Sequence, residues 1–270
     1  MKNKELFSKA DIIEGLHLKQ FEVYYQPIID KQNDKIISGE ALVRWNHPKL
    51  GFLHPASFIE IAEKNKAIIE LGEFVLREAC AQSRQWKDEG YDFHKVTVNL
   101  SFTQLLKKDF TKKTIQIIQE SNIDPKDLEL ELTESVAMTD PVATRQILTK
   151  LQEIGVKITL DDFGTGYSNF SCLSSLPFDG LKMDGQFIQE SLATERSSKL
   201  IRSIIDLARS INIHIVAEGV ETKKQLNLLE EMDCHNVQGF YFTHPLPSKE
   251  YKEWCTFFLS MPRSAFSANY

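Results

Sequence analysis

The 270-residue sequence predicts an α/β protein built as a TIM-like (β/α)8 barrel with an irregular start. Three observations lead there. Eight short β-rich runs recur along the chain, most of them separated by longer amphipathic stretches. From Lys95 onward the order is strand, helix, strand, helix, which calls for parallel strands with helices packed outside. An open doubly wound sheet is the competitor, but it normally carries a glycine-rich phosphate loop after its first strand, and this sequence has none.

The predicted strands cover residues 22–29, 36–45, 95–101, 128–133, 157–163, 180–184, 214–220 and 236–242. Helices are predicted over 55–65, 67–90, 102–122, 141–155, 191–212 and 222–232. The link from Asp30 to Lys35 joins the first two strands. It is long enough for a hairpin and too short for a helical crossover. No Pro/Gly/Ser linker or repeat interrupts the chain, so a single domain over 1–270, with its core at about 21–247, is the simplest organisation.

Composition narrows the function. With 42% apolar and 26% charged residues the chain reads as an ordinary soluble globular protein, and as cytoplasmic. No apolar run approaches the roughly 20 residues of a membrane span, and the N-terminus lacks the apolar stretch of a secretory signal. A net charge of -6 argues against a nucleic-acid polymer as ligand. Cys80, Cys172, Cys234 and Cys255 have neither disulfide-framework nor zinc spacing, so they read as four reduced thiols.

Acids and amides are the unusual feature. Glu40, Asn99, Glu131, Asp161, Asp162, Lys182, Glu218 and Gln238 each lie in or beside a predicted strand, where surface charge would favour helices. The C-terminal strand ends of a parallel barrel converge on one mouth, so these distant residues should meet. Strand alternation sets Glu40, Leu42 and Arg44 on one face and Lys182 with Asp184 on another. Adjacent Asp161 and Asp162 point to opposite faces unless the strand ends there, and Gly164-Thr165-Gly166 makes such an end plausible. Glu129 shares a face with Glu131 but lies deeper, where a paired structural charge is expected. Several carboxylates in one cleft repel one another, and hard divalent cations relieve that repulsion. Oxygen donors without Cys or a His cluster favour Mg2+, Mn2+ or Ca2+ over zinc. An acid shared by two ions is the layout of two-metal phosphodiester hydrolysis. The seven histidines have no ligand spacing and read as surface or packing residues. Phe52 and Phe58 are assigned to the core, with Phe240 or Tyr241 as the aromatic exception beside Gln238.

These residues resemble the EAL-domain family of c-di-GMP phosphodiesterases from about Phe21 to Pro247. The resemblance is carried by Gln26-Pro27-Ile28, Glu40-Ala41-Leu42-Val43-Arg44, Val98-Asn99-Leu100-Ser101 and Glu131-Leu132-Thr133-Glu134. It continues through Asp161-Asp162-Phe163-Gly164-Thr165-Gly166-Tyr167-Ser168, Lys182-Met183-Asp184, Ala217-Glu218-Gly219-Val220-Glu221 and Gln238-Gly239-Phe240. It implies a barrel whose first strand is antiparallel, and hydrolysis of c-di-GMP to linear 5′-pGpG. The metal ligands it implies are Glu40, Asn99, Glu131, Asp161, Asp162 and Glu218, for a pair of Mg2+ or Mn2+ ions. Ca2+ is expected to occupy the site and inhibit. Lys182, with Glu218, Asp184 and Glu134, is implied in catalysis, Lys182 orienting or activating water and Glu134 ordering the loop from Phe163 to Ser168. Gln26, Leu42, Arg44, Glu221, Gln238 and Phe240 are implied as substrate contacts. A homodimer through residues 163–179 is expected, using Phe170, Leu173, Leu176 and Phe178. Gly185-Gln186 departs from the Arg-Ser often found there, Ser174-Ser175 replaces common basic residues, and His244 stands where a basic or small residue is usual. A catalytically silent c-di-GMP receptor or protein-interaction scaffold is the alternative, although every implied ligand is present.

Overall fold

The computed structural model describes residues 7–164, 170–191 and 195–261. Thr165, Gly166, Tyr167 and Ser168 of the expected metal loop, and the side chain of Phe170, lie outside them.

Eight strands close into a barrel. They are β1 (Phe21–Asp30), β2 (Lys35–His47), β4 (Val96–Asn99), β5 (Leu128–Thr133), β6 (Lys157–Phe163), β7 (Gly180–Met183), β8 (His214–Ala217) and β9 (Asn236–Val237). From β2 to β9 each strand runs parallel to its barrel neighbour. β1 is antiparallel to both β2 and β9 and closes the ring, as the short Asp30–Lys35 link requires. Two short strands extend the rim: β3 (Gly51–Leu53) on β2 and β10 (Leu246–Pro247) on β1.

Helices wrap the outside. α1 (Lys9–His17) opens with a Ser8 capping box, and α2 (Ile59–Lys64) follows a 3-10 turn at Pro55–Ser57. α3 (Ile68–Asp88) buries Ile68, Leu71, Val75, Leu76, Ala79 and Trp86, the three-to-four-residue spacing of a barrel-facing stripe. α4 (Phe102–Leu105) and α5 (Phe110–Ser121) replace the single helix predicted over 102–122. Leu105 and Phe110 are both buried, yet five residues is about 140° around one helix, so a turn must realign them. α6 (Glu134–Thr139), α7 (Pro141–Glu153), α8 (Phe170–Ser175), α9 (Gly185–Ser191), α10 (Glu195–Ser210), α11 (Lys223–Glu231) and α12 (Ser248–Ser260) complete the shell. Packing extends on both sides of the 21–247 span: Phe7 and Ile12 near the start and Tyr251, Cys255 and Phe258 near the end are buried.

The outward strand residues Val96, Val98, Leu128, Leu130, Leu132, Ile158, Leu160, Leu181 and Met183 form the core with the helices. The barrel interior is polar where such barrels usually hold branched aliphatics. Ser38, Thr97, Thr159, Glu131 and Lys182 are all buried there. Thr97 Oγ1 donates to Ser38 Oγ at 3.2 Å. Glu129 accepts from Thr159 and lies 3.1 Å from His214 Nε2, the paired structural charge expected of it. All four cysteines are buried and free. Of the residues expected at an interface, Leu176 belongs to the core, and Leu173 and Phe178 pack against it. No described helix is long and apolar enough to cross a membrane.

Candidate active site

The parallel strands carry their acids to one mouth. At its centre Lys182 is buried, with Nζ 2.5 Å from Glu218 Oε1, 2.8 Å from Glu131 Oε1 and 3.1 Å from Glu40 Oε2. Glu40 also accepts Asn99 Nδ2 at 2.7 Å and Gln238 Nε2 at 2.7 Å. Gln238 Nε2 reaches Gln26 Oε1 at 3.2 Å, and Gln26 Nε2 donates to the Thr243 carbonyl at 3.0 Å. Five strands (β1, β2, β4, β5 and β7) and the segments after β8 and β9 therefore meet through one set of polar contacts. The anchoring carbonyl of Thr243 had no signal in the sequence, because any residue supplies one.

The predicted strand 157–163 is observed in full as β6, but a bulge, and not a strand end, brings the Asp pair together. β6 does not end at Asp161; it continues to Phe163 through a bulge, seen as a register shift against β7 between Leu160 and Phe163. Asp162 takes a left-handed φ of 57°, and its N–H donates to Asp161 Oδ1 at 2.8 Å. A bulge re-aims one side chain and uncouples face from sequence parity. Oxygens of Asp161, Asp162 and Glu218 consequently come within 4.8 Å of one another. Holding an aspartate in that backbone region is strained, the kind of cost found at functional sites.

Electrostatics mark the cluster as overloaded with negative charge. Burial raises Asp161 above the usual aspartate range. It also lifts Asp162 to about 6, with Asp161 adding repulsion. Glu218 is pushed up to about 8 by burial and by Asp161 and Glu40, against the pull of Lys182. Burial, with its acidic neighbours, drives Glu131 well up, and neither of its oxygens accepts a well-directed hydrogen bond. Burial acts the same way on Glu40, but Lys182, Gln238 and Asn99 outweigh it and lower its pKa. Burial alone would depress Lys182; Glu131, Glu218 and Glu40 hold it well above the ordinary lysine value. One buried ammonium thus faces more carboxylates than it can neutralise. An all-oxygen set with spare lone pairs fits hard divalent cations.

A cleft of about 330 Å³ opens over these groups, lined by Gln26, Glu40, Leu42, Asp161, Asp162, Glu218, Glu221, Gln238 and Phe240. Leu42, Glu221 and Phe240 lie at the cleft, and Phe240 is 52% exposed. Arg44 is buried beside it, with Nη1 donating to the Val43 carbonyl at 3.0 Å. Asp184 departs from its prediction. β7 stops at Met183, so strand alternation no longer applies, and Asp184 Oδ1 instead accepts the N–H groups of Gln186 and Phe187 at the start of α9. Its charge still reaches Asp161 and Asp162. Glu134 opens α6, which packs against α8; the loop it was expected to order lies mostly outside the described residues. Phe58 is fully buried as predicted, but Phe52 is 44% exposed, because it sits on the rim strand β3 that the sequence reading missed. Tyr241 is buried.

Fold and site together define a metal-suited, acid-lined α/β barrel with one reversed strand. The chain belongs to the EAL domain family, whose model matches residues 9–245. It is 39% identical over 240 residues to a bifunctional diguanylate cyclase/cyclic di-GMP phosphodiesterase, MucR, of Pseudomonas aeruginosa, covering 89% of this chain and 35% of that protein. It is 37% identical over 251 residues to the cyclic di-GMP phosphodiesterase NbdA of the same organism, covering 93% and 32%. The chain thus spans about a third of the length of these relatives. Among solved structures, the PaMucR phosphodiesterase in complex with c-di-GMP superposes with a TM-score of 0.85 at 39% identity, covering 90% of this chain and 98% of that one. An EAL domain protein from Listeria monocytogenes gives 0.81 at 30% identity, covering 93% and 99%.

Proposed function

We propose that this chain hydrolyses c-di-GMP to linear 5′-pGpG with Mg2+ or Mn2+. The observation that carries the proposal is the Lys182 ammonium buried among Glu40, Glu131 and Glu218 beside the bulged Asp161–Asp162 pair. The family relationship and the relatives named for this substrate support it.

Glu40, Asn99, Glu131 and Asp161 would hold one ion, and Asp161, Asp162 and Glu218 a second. When bound, such ions polarise a phosphoryl oxygen and generate hydroxide at neutral pH. The protein's own groups do the rest. Lys182 holds its ammonium on the central carboxylates, where it orients water through a hydrogen bond and offsets charge gathering in the transition state. The Asn99 and Gln238 amides fix the Glu40 carboxylate and, after the Lys182 charge, favour its ionised form. Gln26, Leu42, Glu221 and Phe240 shape the cleft for substrate, and Arg44 carries the fork suited to a phosphate or a guanine edge. Asp184 fixes the start of α9 beside the cleft.

Incubation of purified protein with c-di-GMP and Mg2+, followed by chromatography, tests the reading. Accumulation of pGpG is expected. Tight binding without any release of pGpG would assign the chain to the receptor class instead.

A further inference from the structure

Beyond the acid layer, the paired strands β1 and β2 rise as one wall of the mouth. Gln26 pairs with Glu40, Tyr24 with Leu42 and Glu22 with Arg44. Directly paired residues share a face, so Tyr24 lies on the face of Gln26, Glu40 and Leu42, which line the cleft. It sits one step above Gln26, opposite Leu42.

Two groups brace the Tyr24 ring. The Arg44 guanidinium carbon lies 5.6 Å from its centroid. The Phe52 ring, brought by β3, lies 5.7 Å away, tilted by 52°. Phe52 itself meets His54 edge-on at 5.3 Å and remains 44% exposed. Neither Tyr24 nor Phe52 belongs to the hydrophobic core or packs against it. An exposed phenylalanine held beside a tyrosine and an arginine is a flat apolar surface without a core to serve. On the other side of β1 from β2, the segment between β9 and β10 carries a similar arrangement, in which the Phe240 ring lies 4.0 Å from His244.

We propose that Tyr24 and Phe52, braced by Arg44, form a stacking platform for one of the two guanine bases, with Phe240 serving the other. The proposal rests on c-di-GMP being the substrate. A cyclic dinucleotide carries two purines on one compact sugar–phosphate ring. The acid layer accounts for a phosphodiester, and the bases then need two flat surfaces on the flanking walls. Purine faces stack well on aromatic rings and on guanidinium planes. Tyr24 and Phe52 are therefore specificity residues that hold substrate without touching the reacting phosphorus.

The test compares Tyr24→Ala, Phe52→Ala, Tyr24→Phe and Phe52→Trp with wild type. KM and kcat are measured with Mg2+, c-di-GMP affinity by calorimetry in EDTA, and Mn2+ affinity and thermal melting as controls. Each alanine variant should raise KM and Kd by about 10-fold or more, the usual effect of losing one base–aromatic stack. Turnover number should stay within about 3-fold, with melting and Mn2+ affinity unchanged. The two aromatic replacements should keep near wild-type KM, which loss of a merely structural contact to the tyrosine hydroxyl would not allow. Unchanged KM and Kd in both alanine variants, alongside an active wild type, overturn the platform alone. A wild type that neither binds nor cleaves c-di-GMP overturns the functional reading and the platform with it.

Discussion

Lys182 Nζ, on β7, and Glu218 Oε1, on the residue just past the end of the neighbouring strand β8, lie 2.5 Å apart inside the mouth. An ammonium thereby occupies carboxylate oxygens that a divalent ion would also claim. The same contact makes Lys182 a counter-charge for the carboxylate cluster and, under the proposed function, the donor that aligns water.

Replacement of Lys182 by alanine should separate those duties. The rate constant kcat should fall by on the order of 100-fold or more, because a positioned charge acts chiefly in the transition state. Affinity for c-di-GMP should stay within a few-fold. Initial rates and calorimetry on the same folded variant check this, and a kcat near wild type would remove Lys182 from catalysis.

Divalent ions should stabilise the fold by relieving repulsion among Asp161, Asp162 and Glu218. Saturation at about 100 times Kd contributes roughly 2.7 kcal/mol, or a rise in Tm on the order of 5 °C for a chain of this size. Asp162→Asn should shrink that rise. Ca2+ should raise Tm as well while suppressing turnover, since its longer bonds and looser geometry misplace the attacking water. Melting curves and rates in Mg2+, Mn2+ and Ca2+ decide it; equal turnover in Ca2+ and Mg2+ counts against the idea.

Gly239→Ala should damage substrate binding through packing. A Cβ there would stand 2.1 Å from the Val220 carbonyl oxygen and 2.3 Å from its nitrogen, both backbone atoms that cannot swing aside. The strain should cost about 1–3 kcal/mol of stability. It should also shift Gln238, which holds Glu40 and Gln26, and raise KM. Urea unfolding with steady-state kinetics provides the measurement, and a variant with wild-type stability would show that the segment yields easily.

The His214–Glu129 pair should give the protein a pH-dependent stability unconnected with turnover. Burial would lower His214, but Glu129, followed by Asp179, raises it above the ordinary 6.5. Burial would raise Glu129, but His214, Thr159 and Lys182 bring it below 4.5. The histidine's contribution is complete below its unfolded pKa and is lost as pH rises through the raised folded value. The carboxylate's contribution is present above 4.5 and is lost as pH falls through the depressed value. His214→Gln should therefore lower Tm most in the window between, and flatten its decline above pH 6.5. Parallel Tm–pH curves for variant and wild type would dismiss the pair's role.

Much of the fold was readable because barrel strands announce themselves twice, by apolar outward residues and by punctuation. The reversed β1 was legible from the length of a single link. What escaped depends on local backbone choice. Alternation cannot foresee the bulge at Asp161–Asp162, since a bulge breaks the parity on which alternation rests. β7 and β8 end earlier than predicted for a related reason: Asp184 and Glu218 leave the ladder to meet other partners. The short helices α6, α8 and α9 hold too few turns to build a periodic signal. The acidic cluster was legible as a set, whereas the departure of Asp184 from the strand to hold the start of α9 was not. Phe52 was misassigned because its rim strand has three residues, below the length at which a pattern exists.

The direction of β1 has one more consequence. An all-parallel barrel is entered at the end remote from its chemistry. Here Phe21 pairs with Trp45 near the top of β2, so the chain enters on the mouth side. α1 leads straight into that corner, where the Phe7 ring lies tilted against Trp45 at 4.6 Å and Gln20 accepts the Trp45 indole N–H. Any tug or twist delivered through α1 would be felt first at Glu22, Tyr24 and Gln26, one wall of the cleft. The doorway to the barrel and its workshop share a threshold, so a push arriving along α1 meets the cleft wall through Phe7, Phe21 and Trp45 without traversing the barrel.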